Sequence, residues 1–321
     1  MTDPMHNPEI SVIIPTYNRA RLLPRSLQSV LSQTCDRYEV IVADDGSSDG
    51  TDEVLAQWQE RFGERMRTLR LEHAGVACAR NAGLAASRGR WVAFLDSDDE
   101  WLPNHLETTL AAFQRGPAPG LVVTDHYIQS DQLIRTRVEL GEREEEAVRR
   151  IILRKAVLLT TVVAIDRRVY EQLDGFDAAL QGTEDWEYWV RIAIDFPVIH
   201  VPEATAIIHQ HSENHSGNPE KAERQLAAAA RAISRQRIAK YCTGSQVAAR
   251  ALLDSAEFYS WNGRTWKTLR QLFRAGSAAP GQLLTRDALR IFARAALPLS
   301  AYRGMRDLVW RKLRHRGFSE R

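Results

Sequence analysis

The sequence has few of the features that mark secreted, zinc-binding and membrane-spanning proteins. Its 321 residues include only three cysteines, Cys35, Cys78 and Cys242, which are widely spaced and form no C-x-x-C pair. Neither a disulfide framework nor a thiolate zinc site is indicated, and a reducing compartment is the simpler expectation. The apolar run 10–14 is too short for a signal-peptide core, and longer runs such as 157–165 fall far short of the roughly 20 residues of a membrane-spanning helix. We expect a cytoplasmic protein, soluble or at the inner face of the membrane.

The near-zero net charge of the chain, +2, hides an asymmetry between its two ends. From Glu220 onward the sequence has 21 of its 43 Lys and Arg residues but only 7 of its 41 Asp and Glu residues. A basic C-terminal region that faces an anionic partner is therefore indicated. We predict a flexible N-terminus at residues 1–9, a domain at 10–219 and a basic helical region at 220–321.

Composition and the order of apolar segments predict an α/β fold. With 44% hydrophobic and 26% charged residues, the chain is neither disordered nor collagen-like. Up to residue 130, short apolar runs alternate with amphipathic stretches, which predicts a mainly parallel central sheet flanked by helices. The predicted strands are residues 10–15, 38–43, 66–71, 90–95 and 120–124. The predicted helices are residues 21–33, 51–62, 76–87 and 103–115 in this part, and 225–241, 247–261 and 266–275 in the basic region.

Polar and acidic residues follow three of the predicted strands, in the segments 16–18, 44–49 and 96–99. Ligands of open parallel sheets bind beyond the carboxyl ends of the strands, where these segments should meet. The aspartates gathered there would repel one another without a cation or hydrogen-bond donors. They are Asp44, Asp45, Asp96, Asp98 and Asp99.

The aspartates at 96–99 suggest a metal site. If the backbone stays extended there, Asp96 and Asp98 point to the same side. Carboxylate oxygens suit Mg²⁺ or Mn²⁺, and diphosphate oxygens commonly complete the shell of such an ion, so a nucleoside diphosphate is the implied ligand. The alternative is that Asp98 and Asp99 only cap the helix that begins near Pro103. The position directly after an apolar strand favours the metal site.

Residues 44–51 offer a second binding element. Asp44, nearest the strand end, could accept a hydrogen bond from an N–H group of a nucleotide base. The glycine and hydroxyl residues that follow also make a good turn and helix cap, so Asp49 and Thr51 are assigned to capping.

Four ordered motifs resemble glycosyltransferase family 2: SVIIPTYNR at residues 11–19, VADDGSSDGT at 42–51, ARNAG at 79–83 and FLDSDD at 94–99. The resemblance extends over residues 10–215. It implies the GT-A fold, a nucleotide-sugar donor, a divalent cation (Mn²⁺ or Mg²⁺) and inversion at the anomeric carbon. A nucleotide-sugar half at about 10–130 and an acceptor half at about 131–219 follow from it. We expect a UDP-linked hexose donor and a role in polysaccharide or glycoconjugate assembly.

The resemblance also implies roles for single residues. Asp98 would be the principal metal ligand, and Asp99 a supporting group. Arg80 would lie near the base or the diphosphate, although it could equally be a surface residue of its helix. The residues expected to bind the nucleotide sugar are Thr16, Tyr17, Asp44, Arg80 and Asp96.

The segment 182–189, GTEDWEYW, resembles the Glu-Asp motif of the family. Inversion needs a carboxylate that removes the proton of the acceptor hydroxyl, and the resemblance assigns that task to Asp185, with Glu184 in support. Trp186 and Trp189 could shape an acceptor pocket. The alternative is that these acids are ordinary first-turn residues of a helix and the tryptophans belong to the core.

The segment 209–216 contains three histidines. Its portion from His211 resembles the family loop that supplies a further metal or diphosphate contact, and we choose His211. His209 could take that role instead, or the cluster could be a solvated loop.

The last stretch, residues 299–316, alternates apolar and basic side chains in a pattern compatible with a helix on an anionic membrane. The acceptor could then be a lipid-linked saccharide. Packing of the same stripe on the protein is the alternative, and no motif indicates nucleic-acid binding.

Two other functions compete with glycosyl transfer. A non-catalytic nucleotide-sugar sensor or scaffold could use the same pocket and recruit partners through the basic region. A nucleotidyltransferase should carry a glycine-rich phosphate loop with Arg and Lys after the first strand, where this sequence has Pro-Thr-Tyr-Asn at 15–18.

Overall fold

A computed structural model describes residues 8–115, 118–130, 133–141, 144–154, 158–210, 218–236 and 238–296. The chain forms two compact units, residues 1–214 and 215–321. His211 and the predicted amphipathic helix at 299–316 lie outside the described residues, so their assignments stay predictions.

A mixed sheet forms the centre of the first unit. Its strands are β1 (Ile10–Thr16), β2 (Tyr38–Asp44), β3 (Met66–Arg70), β4 (Trp91–Phe94), β5 (Glu100–Trp101), β6 (Leu121–Ser130), β7 (Leu133–Val138), β8 (Val163–Asp166) and β9 (Val198–Gln210). They lie in the order β3-β2-β1-β4-β8-β6-β9-β5, with β7 paired to β6. The first four strands are parallel, and β8 is inserted antiparallel between β4 and β6. The predicted α/β fold is confirmed.

Helices flank this sheet. They are α1 (Leu23–Leu31), α2 (Thr51–Phe62), α3 (Val76–Ala86), α4 (His105–Phe113), α5 (Glu145–Arg154), α6 (Arg167–Leu173) and α7 (Glu184–Asp195). All seven residues of β1 and all seven of β2 are buried, as expected for strands covered on both faces. Because Thr16 pairs in register with Asp44, the chain leaves β1 and β2 side by side at one edge.

The second half of the sheet differs from the simple alternation seen up to residue 130. Strand β6 continues to Ser130, well beyond the predicted end at residue 124, because it pairs along its whole length with β9. The register between them shifts around Asp125, which a regular pattern of apolar residues cannot reveal. The antiparallel strands β8 and β5 complete this half.

The second unit is helical where it is described. Its helices are α8 (Pro219–Ser234), α9 (Gly244–Trp261), α10 (Thr265–Ala278) and α11 (Arg286–Ala296), with a short 3₁₀ turn at Pro280–Leu284. Helix α8 begins earlier than the predicted residue 225 because Asn218 caps it, accepting from the Lys221 N–H, and Pro219 starts its first turn. None of the described helices combines the length and apolar character that crossing a bilayer requires.

Candidate active site

Arg80 joins two elements of the first unit that are distant in sequence. Its side chain is buried, and it donates from Nη2 to Asp96 Oδ1 and from Nη1 to Glu184 Oε1, both at 2.8 Å. The first contact reaches the segment after β4, and the second reaches the first turn of α7. Burial opposes the charge of the guanidinium, but the carboxylates of Asp96 and Glu184 raise the pKa of Arg80. The alternative of a surface arginine is therefore wrong.

The first turn of α7 presents the carboxyl group of Asp185. One oxygen of Asp185 accepts from the Trp186 N–H at 2.7 Å. Burial, with the neighbouring charge of Glu184, raises the pKa of Asp185 to about 7, although Arg80 acts in the opposite direction. A carboxylate with a pKa near neutrality is well matched to removing a proton from a hydroxyl group.

Trp186 and Trp189 do not line an acceptor pocket. Both are buried, and the Trp186 indole donates to the Ile152 backbone oxygen at 2.9 Å. Trp189 packs edge-on against Phe176 and near Phe94. These two residues belong to the core, as the competing interpretation held, and they anchor the helix that carries Asp185.

Asn81 fixes the chain that leads toward α7. Its side-chain amide donates to the Phe176 oxygen and accepts from the Phe176 N–H, both at 2.8 Å. A Cβ atom at the adjacent Gly175 would lie 2.1 Å from Asn81 Oδ1, so only glycine permits this approach. Helix α3 therefore positions the Glu184–Asp185 turn through two neighbouring residues, Arg80 and Asn81.

Residues 96–99 form a turn rather than an extended segment, since the Asp99 N–H donates to the Asp96 oxygen at 3.0 Å. The extended backbone that would point Asp96 and Asp98 to the same side is therefore not present. Asp99 faces inward, accepting from the Thr161 hydroxyl at 2.7 Å and from the His209 N–H at 3.0 Å. It thus ties the turn to the end of β9.

The acidic turn has the chemistry of a divalent-cation site. Burial raises the pKa of Asp99 well above its ordinary value, and the charges of Asp96 and Asp98 add to this. The Asp98 carboxylate is partly exposed and lies 3.9 Å from the Arg19 guanidinium. Among the described residues no three His, Cys, Asp or Glu side chains form a metal cage. The carboxylates of this turn fit an ion that takes one or two protein ligands and completes its shell with oxygens of another molecule.

The carboxyl end of β2 lies beside that of β1. Asp44 is fully buried and accepts from the Ser47 N–H at 3.1 Å and from Arg70 at 2.7 Å. A base N–H would have to share these oxygens or displace the half-exposed Arg70. The buried Thr16 hydroxyl, in contrast, has no hydrogen-bond partner within the described residues, and it suits a polar group of a ligand.

An aromatic pair stands next to these two strands. The Tyr17 ring stacks on the His73 ring, with centroids 4.1 Å apart and planes 18° from parallel. His73 Nδ1 lies 2.8 Å from Asp45 Oδ2, and the Asp45 carboxylate also accepts from the N–H groups of Ala74 and Gly75. Asp45 therefore holds the loop before α3, and Tyr17, 42% exposed, offers a flat surface for a base.

Sequence reasoning missed Arg70, His73, Thr161 and Arg19. Arg70 and His73 lie at the carboxyl end of β3. The rule that ligands bind beyond the carboxyl ends of parallel strands, which was applied to β1, β2 and β4, could have found them. Thr161 precedes an antiparallel strand that the sequence did not predict. Arg19 stands in the first motif, but it follows Asn18, whose left-handed backbone with a φ of 51° is not evident from the motif.

Comparison with known proteins identifies the family. The profile of the family described as "Glycosyl transferase family 2" matches residues 11–173, half of the chain. The chain belongs to glycosyltransferase family 2. Among curated relatives, an uncharacterized glycosyltransferase from Nostoc sp. is 33% identical over 189 residues, which is 56% of each chain. The chain thus spans little more than half of that relative's length.

Another family 2 relative is an Escherichia coli protein named UDP-Glc:alpha-D-GlcNAc-diphosphoundecaprenol beta-1,3-glucosyltransferase WfgD. It is 29% identical over 187 residues, covering 58% of this chain and 70% of that protein. This family 2 chain also resembles the S. aureus TarS structure in complex with UDP-GlcNAc, with a TM-score of 0.67, 19% identity and coverage of 98% and 93%.

A mannosyltransferase from Pyrobaculum calidifontis, solved with GDP-Man and Mn²⁺, has a TM-score of 0.62 and 20% identity, over 92% of this chain and 86% of that one. The fold of this family 2 chain is therefore the GT-A fold, as predicted.

Removal of the buried arginine should destabilise the protein in a pH-dependent way. Arg80→Met leaves Asp96 and Glu184 without their shared cation, and breaking a buried ion pair costs about 3–5 kcal/mol. Urea unfolding should show such a loss at pH 8 and a smaller one at pH 5.5, because burial raises the pKa of Asp96 and protonation of that carboxyl relieves the repulsion. Arg88→Met, which removes a half-exposed partner of Glu39, should cost about 1 kcal/mol or less. Equal losses for both variants would contradict this role of Arg80.

Proposed function

We propose that this protein transfers a sugar, with inversion, from a UDP-linked donor to an acceptor hydroxyl group, with Asp185 as the base. The observation that carries the proposal is the position of Asp185. It adjoins Glu184, which is bound to Arg80, and Arg80 also binds Asp96 of the acidic turn. Asp185, a proton acceptor with a pKa of about 7, thus belongs to the same charge cluster as the carboxylates of the acidic turn, which suit the divalent ion of the donor.

Asp185 accepts the proton of the acceptor hydroxyl as the hydroxyl oxygen attacks the anomeric carbon. The bond from that carbon to the diphosphate oxygen breaks, and its electron pair leaves with the nucleoside diphosphate. Arg80 holds Glu184 in an ion pair. The neighbouring residue, Asp185, is therefore the carboxylate with high proton affinity. A divalent ion held by Asp98, with Asp96 beside it, would supply charge neutralisation for the diphosphate.

On the nucleoside side, Tyr17 would stack on the base, and the Thr16 hydroxyl would bond a polar group of the nucleoside. Asp44 would help to orient the base through its contacts with Ser47 and Arg70. His211 would add a contact to the metal or the diphosphate. Asp99 would keep the acidic turn attached to β9.

The relatives support this choice of substrates. WfgD is named for a UDP-Glc donor and a diphosphoundecaprenol acceptor, the TarS complex contains UDP-GlcNAc, and the mannosyltransferase complex contains Mn²⁺. We extend to this chain a UDP-hexose donor, Mn²⁺ or Mg²⁺ as the ion and a lipid-linked saccharide acceptor. Contact with the cytoplasmic face of an anionic membrane is part of the same proposal.

Asp185→Asn should abolish transfer and stabilise the fold above neutral pH. Folding raises the pKa of this carboxyl from 3.8 to about 7, so wild-type stability falls as pH rises through that interval. The variant lacks this loss, and its Tm should exceed the wild-type value by a few degrees at pH 8 and by well under half as much at pH 5. UDP release and UDP affinity should be measured alongside. Retained transfer, or lost UDP binding, would refute the assignment as base.

The transfer rate should follow the ionisation of Asp185. Because the base works when deprotonated, kcat/KM should fall about tenfold per pH unit below a break near pH 7. A profile from pH 5 to 8.5 with saturating Mn²⁺ measures it. The affinity for UDP should show no such break. A flat kcat/KM profile between pH 5.5 and 8 would argue against Asp185 as the base.

Asp98→Asn should weaken the binding of UDP only when metal is present. Loss of one charged ligand should lower UDP affinity in Mn²⁺ by roughly tenfold or more, with no change in EDTA. Isothermal titration calorimetry with and without Mn²⁺ measures both. Asp36→Asn, an equal change of charge at an exposed position, is the control. The same affinity for Asp98→Asn and the control in Mn²⁺ would exclude Asp98 as the ligand.

A further inference from the structure

Among the described side chains, the large apolar residues of the second unit are more exposed than those of the first. Within the described residues, the large apolar side chains of the first unit are at most 42% exposed, whereas Leu284 is 84%, Trp266 79% and Phe273 75% exposed in the second. Trp261, Leu289 and Phe292 are also more than half exposed. Scattered apolar residues are normal on a protein surface, but concentrated ones mark an interaction site.

Helical spacing places these side chains on outer faces. Trp266 and Phe273 are seven residues apart on α10, two turns on one face, while Leu272 and Ala275 point into the core. On α11, Ala288 and Ile291 point into the core, and the exposed Leu289 and Phe292 share a neighbouring face.

The turn between the two helices is attached to the first of them. A Cβ atom at Gly276 would lie 2.3 Å from Leu283 Cδ1, so the turn packs directly on α10. The next residue, Leu284, points outward. We call the outward set of Trp266, Phe273, Leu284, Leu289 and Phe292 the apolar surface.

Arginines accompany the apolar surface. Arg270 lies between Trp266 and Phe273 on the same face of α10, and Arg274 and Arg290 are likewise about half exposed. They reach Glu223 or Glu257 on α8 and α9, yet keep much of each side chain in solvent. Aromatic rings interleaved with arginines suit the boundary between lipid headgroups and acyl chains.

Charge selects the partner. Residues from Glu220 onward carry 21 basic and 7 acidic side chains, a net charge of +14. A second copy of this chain would bring an equally basic region against it, whereas a surface of anionic lipid would be attracted. We propose that the apolar surface inserts its aromatic rings into an anionic bilayer while the surrounding arginines contact lipid phosphates.

This inference deepens the proposed function, because a lipid-linked acceptor lies in such a bilayer. It differs from the earlier prediction for residues 299–316, since it rests on α10, α11 and the turn between them. Vesicle binding does not depend on transfer, so failure of the surface and failure of the catalytic assignment give separate results.

The test uses the full-length protein with sonicated vesicles of phosphatidylglycerol and phosphatidylcholine. Wild type should sediment with phosphatidylglycerol vesicles and roughly tenfold less with pure phosphatidylcholine. The double variant Trp266→Ser/Phe273→Ser should lose roughly tenfold or more of the binding. The matched variant Trp266→Phe/Phe273→Leu should retain it. Because both side chains are over 70% exposed, all proteins should unfold at nearly the same temperature.

Two other occupants would give different results. If a second copy covers the apolar surface, lipid-free wild type would be a dimer by analytical ultracentrifugation, and the serine variant a monomer. If residues 297–321 cover it, the serine variant would lower Tm by several degrees, and brominated lipids would quench wild-type tryptophan fluorescence no more than that of Trp266→Phe. Either result, or equal vesicle binding by the serine and matched variants, overturns the proposal.

Discussion

The contact of Arg80 with two different carboxylates is the interaction on which the rest of the site depends. One buried guanidinium binds Asp96, at the carboxyl end of β4, and Glu184, at the start of α7, and these residues are 88 positions apart in sequence. Burial of several carboxylates is costly unless a cation compensates them. Arg80 supplies one fixed positive charge for at least three acids, which leaves the region rich in negative charge. Burial, with the neighbouring charge of Glu184, raises the pKa of Asp185, and the excess of negative charge suits the divalent ion of the proposed function.

The sheet determines which side chains this charge cluster can recruit. Strands β1, β2 and β4 run parallel, so the segments after them emerge at one edge, and β8 beside β4 adds Thr161 from the opposite direction. Thr161 donates to Asp99, while its hydroxyl also accepts from the Asp96 N–H at 3.2 Å. Thr161, which precedes the antiparallel strand β8, thus holds the acidic turn in place.

Much of this arrangement could be predicted from the sequence, and the omissions have physical causes. Helix α2 has the predicted bounds, Thr51–Phe62, because Gly50 and the acids at its start mark its first turn clearly. The α/β fold, the family and the edge that gathers the aspartates followed from local patterns. The turn at 96–99, the burial of Arg80 and the inward position of Trp186 did not, because each involves contacts with residues more than 30 positions away. Local periodicity contains no information about such partners.

The two units carry opposite net charges. The first is acidic and concentrates carboxylates at the edge of its sheet, where a nucleotide with its cation would bring compensating charge. The second is basic and leaves Trp266, Phe273 and Leu284 in solvent, a state that costs free energy in proportion to the apolar area exposed. Neither feature improves the stability of the isolated chain. The partners proposed for this chain, an ion-bound diphosphate for the first unit and an anionic bilayer for the second, would supply the matching charge and the apolar environment.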